Sequence, residues 1–210
     1  MQFLGLLCLL WFLAESISNE NKPVRIRMRI IVGITGSSGA VYAKEFLKKC
    51  DAEKFLIVSK WGKVLLKDEL GISDSDLAQY VKRQFADDDL TAPIASGTNR
   101  FDAFVILPCS TSTLGKIASG IGDTLITRTA QVAMKERYKL VLCVRETPLS
   151  TITLEQCAKL SRDGVIIMPI SPPMYFIPKT VDEYVGAFVD KLLGVIGIPT
   201  QRGWRSDELE

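Results

Sequence analysis

Met28-Arg-Ile-Ile-Val-Gly33-Ile-Thr-Gly36-Ser37-Ser38-Gly39 sets a short apolar run directly before a turn of glycines and hydroxyls. Arg29 to Ile34 is apolar at almost every position. That suits a strand covered on both faces, as in a parallel sheet. Gly33, Gly36 and Gly39 permit a tight turn and close backbone approach. Ser37, Ser38 and the free amides of a helix start suit a phosphate. The spacing is not G-x-G-x-x-G, so the turn names no dinucleotide. A turn that merely caps a helix accounts for it equally well.

Downstream, apolar runs alternate with amphipathic stretches. Ser38 to Cys50 has helical spacing, with Val41, Phe46 and Leu47 apolar. Phe55 to Val58 reads as a second strand, then Trp61 to Leu70 and Asp74 to Phe85 as helices. Phe104 to Leu107 is a third strand, stopped by Pro108. Leu114 to Ser119 and Leu125 to Arg137 are helical. Leu140 to Val144 and Val165 to Met168 complete five strands, and Val181 to Leu193 is a last long helix. Alternation of this kind predicts one α/β domain with a parallel sheet and helices on both faces.

Upstream, Phe3 to Ala14 is an apolar run of twelve. A spanning helix needs about 20 such residues. A signal peptide has a core of this length, but a basic segment should precede it. An upstream start codon, a signal or anchor, and a helix of the domain each account for residues 1–27. The domain is expected over 28–204, with a short tail at 205–210.

Composition narrows the chemistry. Of 210 residues 47% are hydrophobic and 24% charged, which is ordinary for a globular chain. The net charge of +2 makes no case for nucleic acid. There is no histidine. That excludes Ser-His-Asp and Cys-His triads, His-ligated zinc and any imidazole base. The five cysteines show no C-x-x-C spacing, so a metal site or disulfide framework is not expected, and reduced thiols fit a cytoplasmic protein.

Ligands of parallel sheets sit beyond the carboxyl ends of the strands, so the loops there carry the chemistry. After the second strand come Ser59 and Lys60, with Glu69 one helix further on. After the third comes a hydroxyl cluster, Ser110, Thr111, Ser112 and Thr113, in which capping alone is the simpler role. After the fourth come Arg145 and Glu146, which offer a phosphate clamp and a proton-transfer group. After the fifth, four prolines stiffen a loop that carries Tyr175. The residue pattern thus reaches a phosphate-bearing small ligand on an α/β sheet, and stops there.

Seven blocks in order carry a resemblance: IIVGITGSSGA, LIVSK, APIASGT, LPCSTSTLGKIASG, DTLITRTAQVAMKER, LVLCVRETPLS and the PP-x-Y-x-x-P loop. Together they resemble the flavin prenyltransferases of the UbiX type, formerly described as aromatic-acid decarboxylases. The resemblance spans Met28 to about Trp204. It implies a Rossmann-like, three-layer, homo-oligomeric flavoprotein, with assemblies as large as a dodecamer and flavin sites at subunit junctions. It further implies transfer of a dimethylallyl group from dimethylallyl phosphate to N5 and C6 of reduced FMN, without a metal. The prenylated FMN would serve a UbiD-type decarboxylase.

Carried over by position, the resemblance assigns Gly36, Ser37 and Ser38 to FMN and the prenyl phosphate. Ser59 and Ser110 to Thr113 fall to FMN. Arg145 would meet both FMN and phosphate, and Lys135 and Tyr175 would bind the prenyl phosphate. Glu69 and Glu146 would be the acidic pair near the reacting atoms, with Ser38 and Lys135 also in the catalytic set. Lys191 stands where the family commonly has arginine; it keeps the charge but not the bidentate fork. On local pattern alone Lys135 would only complement a helix dipole, Tyr175 would pack, and Trp61 and Trp204 would serve a core or interface.

Ionising an allylic phosphate needs fixed cations and donors on the leaving group, and exclusion of water. This chain can supply both without histidine. Three alternatives remain. Direct decarboxylation of an aromatic acid would require an acid/base system poised over the carboxylate, and the sequence shows no dedicated one. A peptidyl-cysteine type decarboxylase of the same fold characteristically needs a histidine. A non-catalytic flavin carrier would not need Lys135, Tyr175 and Glu146 together.

Overall fold

The computed structural model describes residues 27–175 and 177–200. The apolar run Phe3 to Ala14, Trp204 and the tail lie outside the described residues. The chain runs β1 (Arg29–Ile34), α1 (Ala40–Lys49), β2 (Glu53–Val58), α2 (Lys60–Leu70), a 3-10 turn (Asp74–Tyr80) and β3 (Arg83–Ala86). A second 3-10 turn (Pro93–Ala95) leads to β4 (Ala103–Cys109), α3 (Thr111–Ala118) and α4 (Leu125–Lys135). Then come β5 (Lys139–Val144), α5 (Thr151–Arg162), β6 (Ile166–Ile167) and α6 (Val181–Ile196).

The strands form one six-stranded sheet in the order β3-β2-β1-β4-β5-β6, parallel throughout. β1 explains why its sequence is apolar on both sides. Ile30, Val32 and Ile34 point into a core shared with Phe46 of α1 and Phe188 of α6. Ile31 points into the opposite core, with Leu114 of α3 and Ile126 of α4. Successive residues of a strand alternate faces, so two buried faces demand an unbroken apolar run.

The order places the switch point between β1 and β4. From β1 the chain first builds outward through β2 and β3, then returns to add β4 on β1's other side. Such a point opens a crevice beyond the strand ends.

Three sequence expectations change. Asp74 to Phe85 is not a helix: a 3-10 turn ends at Tyr80 and the edge strand β3 follows. Ser73 and Asp76 form a capping box there, which mimics a helix start in sequence. Only Leu77 of that turn and Phe85 of β3 are buried, so neither period stands out. Pro108 does not stop β4, which continues to Cys109. Its missing N–H appears instead as a register shift between Ile106 and Cys109. Helix α5 gave no signal because it buries only Thr153 and Leu160. Among the described residues no helix is long and apolar enough to cross a membrane.

Candidate active site

Thr35 ties the switch point together. Its buried hydroxyl donates to the Pro108 carbonyl at 2.8 Å and accepts from the Ser110 amide at 2.8 Å. The loop after β1 is thereby fixed to the end of β4. Two residues on, the Ser37 hydroxyl donates to the Arg145 carbonyl at 2.7 Å, which joins the same loop to the end of β5. Each bond is worth about 1 kcal/mol net, and more if a buried partner were left unpaired.

Three helices begin around one crevice. Ser59 caps α2 by accepting from the Gly62 amide at 3.0 Å. Ser110 caps α3 by accepting from the Thr113 amide at 3.3 Å. Thr124 caps α4 by accepting from the Thr127 amide at 3.3 Å. Between them lies a cavity of about 320 Å³, whose walls include Thr35, Gly36, Ser59, Ser110 and Thr124. Three positive helix ends converging on one cavity favour an anionic group. Trp61 and Ile126 are the large apolar groups on these walls. A ligand with a phosphate and a flat ring matches that division.

Close packing shapes the β1 side. A Cβ on Gly36 would lie 2.4 Å from the Trp61 Cβ, and a Cβ on Gly62 2.5 Å from the Ile34 carbonyl oxygen. Helix α2 therefore starts hard against the loop, and the Trp61 indole is left 65% exposed.

Asp87, just beyond β3, escaped the sequence analysis because the strand did. It lines the same cavity. Its carboxylate accepts from the Ile126 amide at 2.9 Å and its carbonyl from the Leu125 amide at 2.6 Å, so it anchors α4. Burial pushes its carboxyl above the ordinary range, opposed by bonds from Ile126 and Thr124 and aided by Asp123 and Asp88. A raised acid contributes stability that is full below the ordinary carboxylate range and is lost as pH rises through the raised value. Asp87→Asn keeps the acceptor and removes that loss. In the ligand-free protein it should raise the Tm at neutral pH by about 3 °C and flatten the dependence on pH above the ordinary carboxylate range. Calorimetric scans at several pH values check this; an unchanged or lower Tm at neutral pH sinks it.

Of the sequence candidates, Gly36, Ser59, Ser110, Ser112 and Thr113 line the cavity. Thr111 opens α3 beside them, half-buried. Ser37, Ser38, Arg145 and Glu146 belong to the adjoining loops after β1 and β5. Near them, burial raises the Tyr42 hydroxyl, with Tyr184 adding and Arg145 opposing. Glu146 is exposed and accepts from the Thr147 amide at 3.0 Å. Glu69 stands near the end of α2. It accepts from the Gly39 amide at 3.0 Å and the Ala40 amide at 2.8 Å. Gly39 sits at φ 115° and has no side chain to cap α1, so Glu69 supplies that cap from α2. Tyr175 stands on the proline loop, 45% exposed.

Two lysines are not brought to the cavity of this chain. Lys135 ends α4, pairs with Glu136 and lies beside Gly97, at the amino edge of the sheet where β5 begins. Lys191 follows Asp190, which meets Lys49 at the end of α1 at 3.2 Å, again toward the amino edge.

The model of the family described as Flavoprotein matches residues 17–192. The flavin prenyltransferase UbiX of Thermoplasma acidophilum is 44% identical over 172 residues, covering 81% of this chain and 96% of that one. The crystal structure of AnUbiX (PadA1) in complex with FMN and dimethylallyl pyrophosphate superposes with a TM-score of 0.80. It is 34% identical and covers 85% of this chain and 100% of that one. The dodecameric FMN-dependent UbiX-like decarboxylase of Escherichia coli O157:H7 gives a TM-score of 0.81. It is 39% identical, covering 84% of this chain and 99% of that one. With its parallel sheet, its switch-point cavity and these relatives, the chain belongs to the flavoprotein family and, within it, to the flavin prenyltransferases of the UbiX type.

Proposed function

We propose that this chain transfers a dimethylallyl group from dimethylallyl phosphate to N5 and C6 of reduced FMN, and that the prenylated FMN serves a UbiD-type decarboxylase. The observation that carries this is the cavity where three capped helix starts meet. Its hydroxyls and amides suit the FMN phosphate, and Trp61 with Ile126 gives the ring an apolar wall. Reduced FMN supplies the electron-rich atoms that take up the allyl group.

The chain's own residues do the rest. Arg145 and Ser38 stand on adjoining loops, where they can hold the departing phosphate. Tyr175 adds a donor from the proline loop. Fixed donors of this kind stabilise a leaving anion because they need no reorganisation. In this reading Glu146 accepts the proton released at ring closure. Lys135 and Lys191 lie far from the cavity of their own chain, so they serve the site of a neighbouring copy. A homo-oligomer accords with the dodecameric E. coli relative. A cytoplasmic setting fits the free thiols of Cys50, Cys109, Cys143 and Cys157.

The test is anaerobic. The full chain is mixed with reduced FMN and dimethylallyl phosphate, then separately with the diphosphate, and the extracted flavin is weighed by mass spectrometry. A gain of one prenyl unit supports the proposal. FMN that is bound but unchanged with both donors leaves a flavin carrier instead.

Trp61 gives a sharper check on the cavity. Trp61→Ala should weaken FMN binding about tenfold, because it removes the larger apolar wall, whereas Trp61→Phe should lose much less. Fluorescence titration measures both; equal affinities for Ala, Phe and wild type would place the ring elsewhere.

A further inference from the structure

A second cavity, also about 320 Å³, opens at the opposite, amino edge of the sheet. Its floor is aromatic. Phe55 of β2 and Phe85 of β3 lie with ring centroids 6.2 Å apart, tilted by 30°. Phe101 closes one side, held edge-on against Tyr138 at 4.8 Å. Helix α4 starts at the carboxyl end of β3 and ends near the start of β5, away from the amino ends of β2 and β3. At this edge the turn at Pro93–Ala95 and the segment Asn99 to Phe101 line the cavity over Phe55 and Phe85, and Phe55 stays half-buried in mid-strand.

The mouth is cationic. Arg29, Lys82, Arg83 and Arg100 surround it against one carboxylate, Glu53. Glu53 is already committed: it faces Arg29 at 3.5 Å and pairs with Lys82, which holds its carboxyl below the ordinary range. Arg83 lies over the Phe85 ring, 4.6 Å from its centroid, and its charge also acts on Asp89. Among the described residues neither Arg83 nor Arg100 makes an ion pair.

We propose that this cavity is a binding site for a small carboxylate carrying a flat ring. The ring lies against Phe55 and Phe85, and the carboxylate takes the guanidinium groups of Arg83 and Arg100. Aromatic rings favour offset stacking on such walls. A planar fork matches a carboxylate with two parallel bonds. A monoanion also fits the two cations that Glu53 leaves over. The site stands a full strand length from the flavin cavity, so its ligand and FMN can be bound together. This binding is independent of the prenyl chemistry proposed above.

Benzoate is the probe, with benzamide as the uncharged isostere and acetate as the ringless control. Calorimetric titration of the full chain should show saturable benzoate binding with Kd below about 1 mM. Benzamide and acetate should each bind at least about tenfold more weakly. Arg83→Gln and Arg100→Gln should each weaken benzoate about tenfold while FMN affinity stays unchanged. Phe55→Trp, which fills the floor of an open cavity, should remove benzoate binding and leave FMN binding intact. No saturable binding at millimolar benzoate would overturn the site, as it would if a second copy of the chain covers the mouth. Displacement of benzoate by FMN, or equal binding by the arginine variants, would overturn it too.

Discussion

Gly36→Ala is expected to abolish useful flavin binding, with a loss of more than about 100-fold in FMN affinity, in a protein that still folds. The added methyl would lie 2.4 Å from the Trp61 Cβ. That atom cannot swing aside, because it is the root of its side chain. Nor can α2 withdraw freely, because the Ser59 amide at its start donates to the Ile34 carbonyl at 3.0 Å. The loop after β1 must move instead. Its movement strains the Thr35 bonds to Pro108 and Ser110 and the Ser37 bond to Arg145, which set the cavity's shape. Overpacking of this kind costs about 1–3 kcal/mol, or a Tm fall of about 3–10 °C at this size. The affinity loss should exceed what that fall explains. Equilibrium dialysis of the folded variant decides; wild-type affinity for FMN would mean that the ligand does not use this cavity.

Glu146→Gln is expected to leave FMN affinity within about twofold of wild type and to cut the rate of prenyl transfer by about 10²–10⁴, the usual worth of a positioned acid–base group. Glutamine keeps the shape and can still accept from the Thr147 amide, the bond recorded at 3.0 Å. The substitution therefore removes proton-accepting power and little else. Single-turnover mass analysis of the flavin reads the rate directly. A variant as fast as wild type would assign the proton to the departing phosphate. Glu69 should behave differently. It holds the start of α1, so its loss should fall first on stability.

The sequence carried the β1 loop and its hydroxyl partners because each followed a strong local rule: an unbroken apolar run, a glycine turn, a Ser or Thr before a helix. Ser110 was found for that reason and Ser59 for its place after the second strand, and both line the cavity. Asp87 was not found. It follows an edge strand of four residues with one buried side chain, too short for either period to register. Helix α5 was missed for a similar reason, since two buried residues in twelve make no stripe. Lys135 and Lys191 show another limit. Their spacing from other motif residues was legible, but spacing along a chain is silent on whether two residues meet within one copy or across two. Glu69 shows a third: its role as the cap of α1 depends on a glycine thirty residues earlier, and no local pattern links them.

The Thr35 hydroxyl has a consequence for how the molecule comes apart. It bonds residues 73 and 75 positions away, at the seam where the two halves of the sheet meet. β1 pairs with β2 on one side and β4 on the other, so neither half can separate without breaking this seam. Local opening therefore should not expose the wall that Thr35 and Ser110 form. The Ser110 amide should exchange with deuterium only when the whole sheet unfolds, on the timescale of global stability and not of loop motion. The floor of the cavity proposed for the flavin is thus as durable as the fold itself, and breathing is left to the loops above it.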